Sequence, residues 1–433
     1  MILPNNGRIV IVDDKLNEAA PLIQILSKKR IPFNYYSGER IADFPENPDQ
    51  NKIRILFLDL NIIEAQKEIK TVISTLDPII KAIVPSNPNP YLLVIWSKKG
   101  SEYADALKDH INVHIQDRKP IRTIFLHKND YFDYNDGVWV PQNGCIEKIT
   151  ETLSTELTNI SLLRNLISWE NIVHQKAAET ISEFSSFHQM DDNWDKNTKA
   201  IMYRLAKAVI GNDDIGTSTN EFKLAKAFLS VNSFLADKIE NEVESFQLGH
   251  IEGIPNSDGD APLTSSIAAK INSTLHTCQK PFLISQFEQG NVYEIPDEDN
   301  MIERIIWDKL FTPPNGEKLT EIRASHPRLV QLDITPVCDY SQDKRYIRVI
   351  YGVIIRPEYA KYFRSQFYYV CPVMKNGNEE IVLLFDFRHI KTITKHYVTG
   401  RNIVPSLKFR REICTDIQSQ LANQVNRPGI SSV

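Results

Sequence analysis

The chain of 433 residues has no CxxC pair, and its five cysteines (Cys145, Cys278, Cys338, Cys371, Cys414) are odd in number and widely spaced. That pattern supports neither a thiolate zinc knuckle nor a disulfide framework, so reduced thiols and a cytoplasmic setting are expected. No apolar run approaches the roughly 18–20 residues that span a bilayer. The longest clusters, Ile53–Leu60 and Tyr91–Trp96, are strand-sized. The first residues lack the basic and apolar regions of a signal peptide, and no membrane partner is expected. A basic excess is lacking too. The net charge is −5, so nucleic acid would have to be met by a local patch rather than by the surface as a whole. Internal repeats and low-complexity tracts are absent. Hydrophobic residues at 42 % and charged residues at 24 % exclude a largely disordered chain, and the length suits about two or three domains.

Proline supplies the most informative gap. The chain holds 23 prolines, yet none lies between Gln142 and Ile254. Proline disrupts helix interiors through its missing N–H and its ring clash. Within that gap Ile146, Ile149, Leu153, Leu157, Ile160, Leu163 and Ile167 step by three or four residues, giving one helical face. Residues 146–250 therefore read as a helical bundle, suited to connecting domains, to self-association or to binding a partner protein. Gly211–Gly216 reads as a helix stop within it, and Ile254–Pro262 as a linker. Before the gap, in residues 1–140, the runs Arg8–Val12, Ile53–Leu58, Tyr91–Trp96 and Ile121–Leu126 alternate with the helically spaced stretches Leu16–Leu26 and Ile62–Ile83. Near-continuous apolar strands alternating with helices predict an α/β domain, its parallel sheet covered on both faces. After the gap, in residues 280–433, the segments Gln331–Thr335, Tyr346–Ile355, Gln366–Val373 and Ile381–Phe387 read as strands of a β-rich α+β domain. Lys375–Asn378 marks a hairpin, and Phe409–Val425 a closing helix.

Polar residues gather at the ends of the first-zone strands. Asp13 and Asp14 follow the first strand, Asp59 the second, Ser97 the third, and Lys128 comes just after the fourth. In an open parallel sheet the carboxyl ends of the strands form the ligand crevice, so these residues converge. Three carboxylates in one pocket repel each other unless a hard cation lies among them, and Mg²⁺ suits an oxygen-only environment. One carboxylate could then serve as nucleophile toward a phosphoryl group, with the lysine pairing the phosphoryl oxygens and the serine hydroxyl sensing them.

On these residues the first 130 or so positions resemble the receiver domain of two-component response regulators. The resemblance implies a flavodoxin-like fold with strand order 2-1-3-4-5 and a histidine kinase or other phosphodonor as partner. It implies that Asp13 and Asp14 help hold Mg²⁺, that Asp59 is the phosphoacceptor and that the backbone carbonyl of Asn61 ligates the metal. It further implies that Ser97 is the switch hydroxyl, Phe125 the switch aromatic and Lys128 the conserved lysine of the pattern. The 45 residues from Asp14 to Asp59 fit the pattern. The longer gaps to Ser97 and Lys128 do not, and extra helix or loop is expected in 62–90 and 100–120. Lys98 stands where the pattern has a small residue, and Asn129 where it has proline.

The third zone offers two candidates. Cys338 follows the run Leu332–Pro336 in an expected turn, where a thiolate would need a histidine as base. The stretch Phe387–Arg411 carries Arg388, Lys391, Lys395, Arg401, Lys408, Arg410 and Arg411, no acidic residue, and interleaved Phe387, Tyr397 and Phe409. Cations neutralise phosphates and aromatics stack on bases, so a nucleic-acid surface is one expectation. Pairing with acidic residues such as Asp297, Glu298 and Asp299 is the other. The leading functional expectation is a cytoplasmic signalling protein in which phosphorylation of an aspartate switches a helical and β-rich output, as in prokaryotic stress or phage-defence systems. The alternatives are a nuclease-like effector acting through the C-terminal domain and a receiver-like scaffold that is never phosphorylated.

Overall fold

The computed structural model describes residues 3–47, 52–62, 68–86, 88–98, 100–135, 138–210, 215–245, 259, 263–278, 287–306, 316–340 and 345–425. Most of the expected linker at 254–262 and most of the helix stop at 211–216 lie outside the described residues. The chain divides into two compact units, Met1–Trp194 with Asn232–Ile254, and Asp195–Val231 with Pro255–Val433.

The first unit is built on five parallel strands: β1 (Ile9–Val12), β2 (Phe33–Tyr36), β3 (Ile55–Leu58), β4 (Leu92–Ser97) and β5 (Arg122–His127). Their order is β2-β1-β3-β4-β5, the flavodoxin-like order. Alternation along each strand supplies both faces with apolar side chains. Ile9, Ile11, Ile55, Phe57, Val94 and Trp96 fill one core. Val10, Val12, Leu56, Leu58, Leu93 and Ile95 fill the other. The first core is closed by α1 (Leu16–Lys28), α4 (Cys145–Thr158) and the start of α5 (Ser161–Ser186), and the second by α2 (Ile69–Ile83) and α3 (Ser101–His114). Two prolines, Pro21 and Pro78, lie inside α1 and α2. The cost of each lost backbone bond is outweighed by the burial of neighbours such as Leu22, Ile25, Ile79 and Ile80, each worth about 1.5–3 kcal/mol.

The expected single apolar face at 146–167 breaks at Asn159–Ile160 into α4 and α5. Ile149, Leu153, Leu157, Leu163 and Ile167 nevertheless enter one core, that of the sheet. Between β5 and α4 a hairpin, β6 (Phe132–Asn135) with β7 (Val138–Pro141), packs its second strand against α1. At the amino ends of the strands, Glu170 of α5 pairs with Arg8 at 2.8 Å and with Arg54 at 3.1 Å. The helical segment continues as α6 (Trp194–Ile210) and α7 (Asn220–Ser245), where Ala206, Ile210, Ile215 and Ala227 form a small core in the second unit.

The second unit opens its sheet region with α8 (Ser265–His276). A seven-stranded sheet follows, made of β8 (Asn291–Glu294), β9 (Arg328–Asp333), β10 (Tyr346–Ile355), β11 (Tyr368–Val370), β12 (Met374–Asn376), β13 (Glu379–Thr394) and β14 (Pro405–Lys408). All its pairings are antiparallel, in the order β11-β13-β10-β9-β8-β14, with β12 paired to β13 as a hairpin through Gly377 at φ +61. Helices α9 (Met301–Ile306) and α10 (Gly316–Ala324) pack on one face. The short α11 (Val337–Tyr340) and α12 (Lys395–Gly400) lie between strands, and α13 (Arg411–Val425) closes the other face. No helix among the described residues is long and apolar enough to cross a membrane.

Candidate functional site

The parallel ladder itself brings the acidic residues together. Val12 pairs with Leu58 at the carboxyl ends of β1 and β3, and the Asp59 N–H donates to the Val12 carbonyl at 2.9 Å. Asp13 and Asp59 are thus the next residues in register, and both are fully buried. Asp13, Asp14 and Asp59 each offer a carboxylate oxygen, all within 4.8 Å of one another. Among the described residues this is the one cluster of three or more metal-ligating side chains.

Lys128, just past β5 and 1 % exposed, reaches into the cluster. Its ammonium donates to Asp13 Oδ2 at 2.6 Å, to Asp59 Oδ2 at 2.8 Å and to Glu18 Oε2 at 3.1 Å. Local backbone fixes the remaining oxygens. Asp13 Oδ1 accepts from the Lys15 N–H at 3.1 Å, and Asp59 Oδ1 from the Asn61 N–H at 3.0 Å. Tyr35 donates its hydroxyl to the Asp13 carbonyl at 2.7 Å. Asp14 Oδ1 differs: it is buried and has no hydrogen-bond partner.

Electrostatics follow from this packing. Burial, seconded by the Asp59 charge and opposed by Lys128, pushes the Asp13 carboxyl up to about 7. Burial and then Asp59 raise Asp14 as well. Lys128 loses hydration on burial, but the Asp59 and Asp13 charges outweigh that and push its pKa further up, so it stays an ammonium. Glu18 is also desolvated, yet Lys98 and Lys128 hold its carboxyl below the usual range. With all four carboxylates ionised, the two ammonium groups would leave an excess of two negative charges, which one divalent cation would balance. The all-oxygen donor set and the orphaned Asp14 oxygen fit a hard cation such as Mg²⁺.

The other strand-end residues take their places around this centre. Ser97 ends β4, fully buried, in register with His127. Phe125 lies on β5 opposite Ile95, half-buried against the second core. Glu18, in the first turn of α1, is the site residue that the sequence did not reveal. Its position four and five residues after the Asp13–Asp14 pair, at a helix start, was the available signal.

The basic stretch of the third zone is dispersed. Arg388 binds Asp386 through Nε at 2.8 Å and Nη2 at 2.6 Å. Arg401 pairs with Glu298 at 2.8 Å, Lys391 approaches Asp299 at 3.8 Å, and Lys408 pairs with Glu288. Arg410 donates to the Thr277 carbonyl, Lys395 lies 6.0 Å from the Tyr340 ring, and Arg411 opens α13. Phe387 and Phe409 are buried in the core, so of the three interleaved aromatics only Tyr397 reaches the surface. Cys338 lies in α11 rather than in a turn. No protein-family model matches the chain, and no curated protein matches it.

Proposed function

We propose that the first unit is a receiver-type phosphorylation module, in which Asp59 accepts a phosphoryl group and the rest of the chain acts on that change. The observation that carries this reading is the cluster of buried Asp13 and Asp59 with half-buried Asp14 beside Lys128, at the carboxyl ends of a parallel sheet ordered 2-1-3-4-5. A buried acidic pocket that served only stability would be an uneconomical core, because ion pairs in the interior offset little more than their own desolvation.

In this reading Asp13, Asp14 and Asp59, with the Asn61 carbonyl, hold Mg²⁺, which when bound neutralises phosphoryl charge. A carboxylate oxygen of Asp59 forms the new P–O bond as the bond from phosphorus to the donor's leaving group breaks, and the leaving group takes a proton from solvent. Burial holds Asp59 in one orientation, and its Oδ1 is fixed by the Asn61 N–H. Lys128 already contacts Asp59 and moves its ammonium onto a phosphoryl oxygen, exchanging one anion for another. Ser97 supplies a hydroxyl at the neighbouring strand end, and Phe125 follows its motion.

The test is a titration of the full chain with Mg²⁺ and then beryllofluoride, a phosphoryl mimic, following Trp96 fluorescence. Trp96 is fully buried and precedes Ser97. A saturable change in wild type that is lost in Asp59→Asn supports the module. An unresponsive wild type would leave the cluster as a structural ion-pair network and remove the proposal.

A further inference from the structure

Lys98 departs from the receiver pattern, and its surroundings give it a different use. Its ammonium donates to Glu18 Oε1 at 2.7 Å, while Oε2 of the same carboxylate accepts from Lys128 at 3.1 Å. Glu18, 5 % exposed, thus bridges the ammonium that touches Asp59 to a second ammonium. That second ammonium also lies 4.3 Å from the centroid of the Trp139 ring and 5.8 Å from that of Tyr134. Both rings belong to the β6–β7 hairpin. Trp139 is buried in the apolar core that α4 shares. A backbone tie reinforces the path, since the His127 ring meets the Lys98 carbonyl at 3.0 Å.

We propose that Glu18 and Lys98 form a relay from the Asp59 pocket to the β6–β7 hairpin, with Glu18 as a positioning residue and the Lys98–Trp139 contact as the regulated element. The relay rests on the reading of Asp59 as a phosphoryl site. A phosphoryl group on Asp59 places new anionic oxygens beside the Lys128 ammonium and competes with Glu18 for it. Glu18 then keeps Lys98 as its one close cation. A carboxylate–ammonium bond is stronger than a cation–π contact, so Lys98 follows Glu18 and the indole loses its cation. The hairpin is released from that tether, and α4, sharing the core with Trp139, feels the change.

The experiment uses the full chain carrying 5-fluorotryptophan. Fluorine NMR resonances are assigned with Trp96→Phe and Trp139→Phe, and the probe is Mg²⁺ with beryllofluoride. Trp96, which precedes Ser97 and packs edge-on against Phe132, reports the end of β4, and Trp139 reports the second hairpin strand. In wild type both resonances should shift. In Lys98→Met the Trp96 shift should remain and the Trp139 shift be lost, and in the isosteric Glu18→Gln the Trp139 shift should likewise be lost. Lys98→Arg, which keeps the cation and its aromatic contact, should restore it. A Trp96 shift alone in wild type would overturn the relay while leaving the phosphoryl site standing. A Trp139 shift that persists undiminished in both Lys98→Met and Glu18→Gln would do the same. If neither resonance moves in wild type, the phosphoryl-site reading fails and the relay fails with it.

Discussion

Replacing Lys128 by methionine keeps the length of the side chain and removes its charge. Lys128 is 1 % exposed and faces two carboxylates that are fully buried. At its 2.8 Å contact with Asp59 and an effective dielectric of about 20, the gross attraction is roughly 6 kcal/mol. Most of that is offset by desolvation in the intact cluster. Once the cation is gone, the stranded carboxylates keep their burial without its compensation, and such losses amount to about 3–5 kcal/mol. Amide exchange in β1 and β3 of the full chain should therefore accelerate by about two to three and a half powers of ten without divalent ions. Lys128 and a divalent cation compete for the same negative charge. Mg²⁺ should accordingly bind Lys128→Met more tightly than wild type and slow its exchange by a larger factor. At a hundredfold excess over Kd, binding returns about 2.7 kcal/mol. A loss below about 1 kcal/mol, or equal Mg²⁺ stabilisation of both proteins, would refute the idea that Lys128 stands in for the cation.

Three further outcomes are expected. Burial pushes the thiols of Cys145 and Cys414 up to about 11 and about 12 and that of Cys371 well above its usual range, so at pH 8 iodoacetamide should leave all three unmodified until the chain unfolds. Half-buried Cys278 should label before them, as peptide mass spectrometry would show. A Cβ at Gly352 would lie 2.5 Å from the Leu384 carbonyl oxygen and 2.6 Å from the Phe385 ring, so Gly352→Ala should cost the β10–β13 pairing about 1–3 kcal/mol, read as faster exchange in those two strands. Glu170→Ala removes the carboxylate partner of Arg8 and Arg54 and should loosen α5 by about 1–3 kcal/mol, again visible by exchange, with the Asp59 pocket unaffected at the opposite end of the sheet.

The parts of this fold that were legible in the sequence are those where burial is two-sided. Strands β1, β3 and β4 lie within a residue or two of the expected runs, because a strand covered on both faces must be apolar throughout, and the half-buried edge strand β5 was marked by its run Ile124-Phe125-Leu126. Strand β2 went unread for the complementary reason. It lies at the sheet edge, its Phe-Asn-Tyr-Tyr sequence is only half-buried, and no apolar run marks it. The same holds for the edge strand β14, where Pro405 and Ser406 interrupt the apolar pattern, whereas β8 is internal and buried but only four residues long and begins with Asn291. The strand-end residues could be placed because parallel topology dictates where they converge. Glu18 could not, since its role depends on two lysines that are 80 and 110 positions away. In the third zone the sequence left two expectations for the basic stretch, and the pairs of Arg401 with Glu298 and of Lys391 with Asp299 are those of the second, while Arg388 binds Asp386 two residues before it. Phe387 and Phe409 look like stacking platforms in sequence but alternate into the core.

Phosphoryl uptake by Asp59 is the central claim, and intact-protein mass spectrometry measures it directly. The full chain is incubated with Mg²⁺ and acetyl phosphate, alongside Asp59→Asn and a chelated control. Wild type should gain the mass of a single acid-stable, base-labile phosphoryl group, and both the variant and the chelated sample should gain none. Equal incorporation in Asp59→Asn, or none in wild type under any divalent ion, would contradict the account.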